Sequence, residues 1–278
     1  MKNLLLCWVL GMLLGGGAVV VAHAQTASEA AEQSTAAAPQ ATALDGMRSV
    51  ENLDRWRETL IPMFMNDYGD LHRYREADAA LGAPTPGQPR VIFFGDSITD
   101  IWKLDESFPG KHYINRGISG QTTPQMLVRF REDVVDLHPA VVVILAGTND
   151  IAGNTGPESL DQIEGDFISM VEIARASGIR VVLSSLTPEN GTRPEWTKYT
   201  LLRPPDEIVA LNRWLRNYCS QQGLVYLDYY SAMADERGRM KPELTIDGLH
   251  PSPAGFAVMA PLAQAAIDHA LAQPAPHP

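Results

Sequence analysis

From residue 90 onward the chain alternates short apolar runs with longer stretches in which apolar residues recur every three or four positions. The runs fall at 91–96, 112–116, 141–146, 180–186 and 224–229, and the most apolar are Val91-Ile92-Phe93-Phe94 and Val141-Val142-Val143-Ile144-Leu145-Ala146. Continuous rather than alternating apolarity marks a strand buried on both faces, as in parallel sheets. The periodic stretches predict helices over about 122–137, 158–177, 205–222 and 253–272. Thr122-Thr123-Pro124, Pro157-Glu158 and Ser252-Pro253 mark helix starts, and Gly178 and Gly223 lie just past helix ends. Five strands with helices between them imply a single α/β domain over 90–272, its parallel sheet covered on both faces, with 273–278 as a tail.

Upstream the pattern changes twice. From Met47 to Leu81, Leu53, Trp56, Leu60, Phe64 and Tyr68 recur at helical steps and predict a helix lying on the main domain, kinked or divided at Pro62. Ala83-Pro84-Thr85-Pro86-Gly87-Gln88-Pro89 then reads as a stiff linker, so 46–89 form a helical extension and linker. Residues 25–45 carry almost no large apolar side chains and predict a flexible tether. The chain opens Met1-Lys2-Asn3, runs apolar from Leu4 to Ala22 and continues Ala22-His23-Ala24. A basic start, an apolar run and a small-x-small ending describe a signal peptide over 1–24 and an exported, periplasmic or extracellular protein. The apolar run is also long enough to leave an uncleaved N-terminal anchor as the alternative.

Composition narrows the partners. The 278-residue chain has a formal net charge of −11, and cleavage would remove Lys2 as well. With no basic run to offset it, that balance disfavours nucleic acid and anionic lipid surfaces. Of the two cysteines, Cys7 lies in the leader, and Cys219 shares a helical pattern with Leu211 and Leu215. Cys219 therefore reads as a packed apolar residue, with no intrachain disulfide in the mature chain. No Cys/His cluster has zinc spacing. His72, His112, His138 and His269 show no partner pattern and read as structural or surface residues.

The candidate chemistry lies where strands end. Ser97 follows the first strand in Gly95-Asp96-Ser97-Ile98-Thr99, at the carboxyl edge where open α/β sheets bind ligands. Taken alone it reads as an ordinary turn and helix cap or as a nucleophile. Asn115-Arg116-Gly117-Ile118-Ser119-Gly120-Gln121-Thr122 is a Gly-rich strand-to-helix loop able to turn N–H groups toward an anion. Gly147-Thr148-Asn149-Asp150 puts an amide donor at the next strand end. Asp247-Gly248-Leu249-His250 spaces an acid and an imidazole three residues apart, so both can face one site. The chain lacks the full G-x-G-x-x-G spacing of dinucleotide binding, and Thr99 breaks the G-x-S-x-G elbow of α/β-hydrolases. In a doubly wound sheet all four loops converge on one edge.

These four segments, in this order, resemble the blocks of the SGNH (GDSL) hydrolases over about residues 90–270. Within that superfamily the wording is most similar to bacterial relatives of platelet-activating-factor acetylhydrolase catalytic subunits. The resemblance implies a flavodoxin-like three-layer α/β/α sandwich with a five-stranded parallel sheet of order 2-1-3-4-5, and neither metal nor cofactor. It implies Ser97 as nucleophile, His250 as general base and Asp247 as the acid orienting it. It makes the Ser97 and Gly120 N–H groups and the Asn149 amide an oxyanion hole. The expected substrate is a small-molecule or carbohydrate ester with a small acyl group. Nucleic acid is not expected as a partner, nor is a stable membrane partner if the leader is cleaved; the oligomeric state stays open. A lysophospholipase, an arylesterase or an acyltransferase at the same site is the alternative, and a non-catalytic carbohydrate- or wall-binding module is a third reading. The loop from Thr187 to Pro205 follows the fourth strand, with Trp196 and Tyr199 as candidate substrate-pocket residues. Trp102 reads as core or pocket wall.

Overall fold

The computed structural model describes residues 51–276. The expected leader and tether lie outside the described residues, which all fall within one compact unit. The elements begin with α1 (Glu51–Asn66), α2 (Arg75–Ala80), β1 (Val91–Gly95), α3 (Ser97–Asp100), α4 (Leu104–Ser107) and β2 (Ile114–Gly117). They continue with α5 (Thr123–Asp133), β3 (Val141–Leu145), α6 (Thr148–Ile151), α7 (Leu160–Ala176) and β4 (Arg180–Ser184). The last are α8 (Thr197–Leu202), α9 (Pro205–Gln222), β5 (Val225–Leu227), α10 (Tyr229–Met233) and α11 (Pro253–Ala272).

The five strands form one parallel sheet in the order β2-β1-β3-β4-β5, as expected. The central strands β1 and β3 are buried on both faces, which explains why they read as unbroken apolar runs, whereas the edge strand β2 (Ile-Asn-Arg-Gly) is partly exposed. Ile92, Phe94, Val142, Ile144, Val181 and Leu183 pack with Met126 and Phe130 of α5, Phe167 of α7 and Leu211 of α9. Val91, Phe93, Val141, Val143 and Val182 face the other layer, with Trp102, Phe108 and α11 residues Met259, Ala263 and Ile267. Cys219 is buried in the first of these layers, and burial pushes its thiol up to about 12, so it packs as an apolar residue.

The strands expected at 112–116, 180–186 and 224–229 are found at Ile114–Gly117, Arg180–Ser184 and Val225–Leu227, and three helices also differ from the sequence reading. The helix expected over 122–137 stops at Asp133 and tightens into a 3₁₀ turn, Val135–Leu137. α7 starts at Leu160 rather than at Pro157, because Ser159 and Gln162 form a reciprocal capping box there. α1 runs through Pro62, whose missing N–H removes one internal bond without ending the helix. The break comes later, where the Asp67 carboxylate accepts hydrogen bonds from the Leu71 and His72 N–H groups. That turn also gives His72 partners the spacing did not reveal: its Nδ1 lies 2.9 Å from Asp67 and 3.4 Å from Asp70. Among the described residues, no helix is long and apolar enough to cross a membrane.

The extension is tied to the sheet by polar contacts. Tyr74 donates to the Gly117 carbonyl, and its ring lies under the Arg116 guanidinium. Arg116 pairs with Asp78 of α2, with the arginine side chain 6% exposed. The fully buried Arg129 of α5 joins two strand ends, donating to the carbonyls of Gly95 and Arg116, each at 2.9 Å. Its charge is paired with Asp133 at 2.7 Å.

Candidate active site

Ser97 is the first residue of α3, immediately beyond β1. A side chain at Gly95 would run into Thr99 Oγ1 at 2.2 Å and the Leu145 carbonyl at 2.7 Å, so glycine allows α3 to fold back on its strand. Asp96 caps the turn by accepting from the Ile98 N–H at 2.9 Å. The serine is thus presented at the carboxyl edge of the sheet, and the Asp96 carboxyl is fully buried beneath it. That burial pushes Asp96 up to about 6, against the opposing effects of the Ile98 N–H and the nearby His250.

His250 reaches Ser97 from the opposite end of the chain. Its Nε2 lies 2.9 Å from Ser97 Oγ, and its Nδ1 lies 2.7 Å from Asp247 Oδ2. Asp247 Oδ1 also accepts from the Leu249 N–H at 3.0 Å and the His250 N–H at 2.8 Å. Partial burial works against ionisation of Asp247, but the hydrogen bonds from the His250 ring and these two N–H groups outweigh it and hold the carboxyl at about 2. An ionised Asp247 on Nδ1 fixes the tautomer in which Nε2 can accept a proton. The loop is rigidly braced: Thr245 Oγ1 donates to the His250 carbonyl at 2.8 Å and accepts from the Gly248 N–H at 2.9 Å.

The Gly120 and Asn149 segments meet beside this triad. Ser119 donates through both N–H and Oγ to Asp100 Oδ2, at 3.2 and 2.6 Å, which ties the Gly120 turn to the helix carrying Ser97. Asn149 lies on α6, buried, and donates from Nδ2 to the Gln121 carbonyl at 3.0 Å. Asn154 donates to the Gly120 carbonyl at 2.9 Å. Gly120 adopts a φ of +82° in its turn, a conformation that suits glycine. Among the described residues its N–H has no hydrogen-bond acceptor, so it remains available to an anion.

Trp196 and Tyr199, the candidate pocket residues, lie in the segment after β4 with different surroundings. Trp196 is buried behind the loop that carries Asp247 and His250, its Cβ and Cγ 2.9 and 3.0 Å from where a Gly248 side chain would begin. Its ring is covered by the Arg193 guanidinium at 4.2 Å. Tyr199 is half-buried on α8. Neither lines the cavity of about 420 Å³ beside Glu189 or the groove of about 900 Å³ beside α3. An aromatic residue in a loop after a strand looks the same in sequence whether it packs inward or faces substrate. The larger groove instead has walls from Ile101, Trp102, Phe108, Ile246, Pro251 and Phe256. Trp102 and Phe256 stack there with ring centroids 5.1 Å apart.

Sequence reasoning missed Arg203, which contacts both Asn149 and its neighbour. Arg203 Nη2 donates to Asn149 Oδ1 at 2.9 Å, and Nε donates to the Thr148 carbonyl at 2.9 Å. Glu189 flanks the guanidinium at 3.3 Å. The local signal, an arginine before Pro204-Pro205, is no different from that of a surface residue at a helix start.

Comparison with known proteins agrees with this architecture. Residues 93–258 match the model of the GDSL-like Lipase/Acylhydrolase family. The structure of a GDSL-like lipase from Bacteroides thetaiotaomicron VPI-5482 is similar with a TM-score of 0.68 and 39% identity, over 73% of this chain and 99% of that one. Platelet-activating factor acetylhydrolase IB subunit alpha2 of Homo sapiens is 31% identical over 38% of this chain and 47% of its own length. An uncharacterized lipoprotein of Bacillus subtilis (strain 168) is 35% identical over 38% of this chain and 52% of its own. The chain thus spans about half the length of the curated relatives it matches. With the family model covering more than half of the chain and all four motif segments in place around one sheet edge, the chain belongs to the GDSL-like lipase/acylhydrolase family.

Proposed function

We propose that this chain is an exported serine esterase that hydrolyses carboxylic esters with small acyl groups through an acyl-enzyme. The observation carrying the reading is the unbroken relay from Asp247 to His250 at 2.7 Å and from His250 to Ser97 at 2.9 Å. Ser97 Oγ attacks the ester carbonyl while His250 Nε2 takes its proton. The tetrahedral oxyanion is received by the N–H groups of Ser97 and Gly120 and the Asn149 amide. Collapse expels the alkoxide, which takes the proton from His250 and leaves the acyl group on Ser97. Water, deprotonated by His250, then attacks the acyl-enzyme and releases the acid. The name of the acetylhydrolase relative supports an acetyl-sized acyl group.

The groove beside α3 favours a second reading of the alcohol portion. Its apolar walls suit an aryl or alkyl group better than a free sugar, as in an aryl ester or a lysophospholipid. A panel varying acyl length on p-nitrophenol and alcohol type on acetate, with acetylated sugars and lysophospholipid alongside, separates the two choices. Acetyl and propionyl esters should turn over fastest, and Ser97→Ala should fall to the uncatalysed background. Retained turnover in Ser97→Ala would remove the serine mechanism. Export is supported by the leader pattern, and sequencing the protein from the cell envelope or medium should find Gln25 first, whereas an intact Met1 terminus there would contradict cleavage.

A further inference from the structure

We infer that Arg203 is a positioning residue that fixes which end of the Asn149 amide faces the reacting carbonyl; this rests on the esterase reading above. A side-chain amide offers an acceptor at Oδ1 and two donors at Nδ2, and a half-turn exchanges them. In this site the exchange is blocked from both sides. Arg203 Nη2 donates to Oδ1 at 2.9 Å, and a guanidinium can only donate. The Gln121 carbonyl, 3.0 Å from Nδ2, can only accept. Turning the amide over would set donor against donor at Arg203 and acceptor against acceptor at Gln121. With Oδ1 and one N–H committed, the plane of the amide is fixed and one N–H is left for the oxyanion.

Arg203 is itself held in place. Its Nε donates to the Thr148 carbonyl at 2.9 Å and to Thr148 Oγ1 at 3.1 Å, so the same side chain grips two consecutive residues of α6. Glu189 stands 3.3 Å away, and both side chains are almost wholly buried. The planar fork suits this double contact, which a lysine ammonium cannot reproduce. A cation next to Oδ1 also polarises the amide and strengthens its N–H groups as donors to a developing negative charge. Without Arg203 only the Gln121 carbonyl opposes the half-turn, and a larger share of the protein presents the Asn149 oxygen to the oxyanion, which it repels rather than stabilises.

The test is a double-mutant cycle on p-nitrophenyl acetate, comparing the wild type, Arg203→Met, Asn149→Ala and the double variant. Arg203→Met should lower kcat about 10- to 100-fold, less than outright loss of an oxyanion donor, while KM moves less than about 3-fold. Arg203→Lys should fall in between. In the Asn149→Ala background, Arg203→Met should cause no further loss of kcat, because there is no amide left to orient. Fully multiplicative losses in the double variant, or an Arg203→Met kcat within about 2-fold of wild type, would overturn the assignment. If Arg203→Met does not fold with Glu189 left opposite an apolar chain, Arg203→Met/Glu189→Gln removes the stranded carboxylate and is read in the same cycle against Glu189→Gln. A wild-type protein without ester turnover would count against the esterase reading itself, whereas a damaged Asn149→Ala with multiplicative Arg203 effects would count against Arg203 alone.

Discussion

At the scale of single residues, the site separates groups by what their surroundings do to charge. Asp247 and Asp96 are both aspartates near His250, yet hydrogen bonds hold Asp247 at about 2 while burial lifts Asp96 to about 6. Only Asp247 is therefore firmly ionised across the neutral range, and it is the one in contact with His250 Nδ1. Asn149 makes the corresponding point for a neutral group, since its value lies in direction rather than charge. Asn149→Ala should reduce kcat about 10²- to 10³-fold with KM little changed, as expected for a bond strongest in the transition state. Steady-state kinetics on p-nitrophenyl acetate checks this, and an unchanged kcat would take Asn149 out of the mechanism. That Ser97, Gly120, Asn149, Asp247 and His250 meet at one sheet edge is legible in the sequence, because strand ends gather at that edge and the motif spacing is distinctive. Arg203 was not legible, because its role depends on a contact across 54 residues of chain.

At the scale of elements, the starts of α5 and α7 hold a pair of acids in an unusual state. Asp150, next to Asn149, accepts from the Thr123 N–H at 2.7 Å and from Thr123 Oγ1 at 2.5 Å, and so caps α5. Its second oxygen and Oε2 of Glu158 are both buried without another hydrogen-bond partner among the described residues. Burial pushes Asp150 up to about 6, and burial together with the Asp150 charge pushes Glu158 up to about 8. A proton shared between the two carboxyls satisfies both orphan oxygens. Carboxyls with raised values bind more protons folded than unfolded, so their contribution is fully present below the unfolded value near 4 and is lost as pH rises through about 8. Glu158→Gln keeps an amide donor for Asp150 and removes the titration. Thermal unfolding should show it gaining more in Tm, relative to wild type, at pH 8 than at pH 5; an equal gain at both would show that the pair does not titrate in this window. No spacing pattern announces this pair, since two acids eight positions apart across a loop look like surface residues.

At the scale of the whole molecule, the extension before β1 belongs to the architecture of the site. The apolar periodicity of 47–81 reveals a helical segment, but several of the contacts that tie its described residues to the sheet are polar and so invisible to a hydrophobic pattern. The Gly69 carbonyl accepts from Gln121 Nε2 at 2.9 Å, and the carbonyl of the same glutamine receives Asn149. Gln121 Oε1 in turn accepts from the buried Arg129 at 2.5 Å, linking the extension to the ends of β1 and β2. The firmest tie is Asp78 to Arg116, an arginine inside the Asn115-Arg116-Gly117 segment that leads into the Gly120 turn. Removing one partner of a buried ion pair strands the other, at a cost of about 3 kcal/mol. Asp78→Ala should lower the urea unfolding free energy by about that amount with the m-value unchanged. Arg116→Met in the Asp78→Ala background should recover part of the loss, because it removes the stranded charge instead of leaving it buried. If Asp78→Ala is as stable as wild type, α2 merely lies against β2; if the double variant recovers stability but kcat stays low, the pair also sets the position of the Gly120 turn.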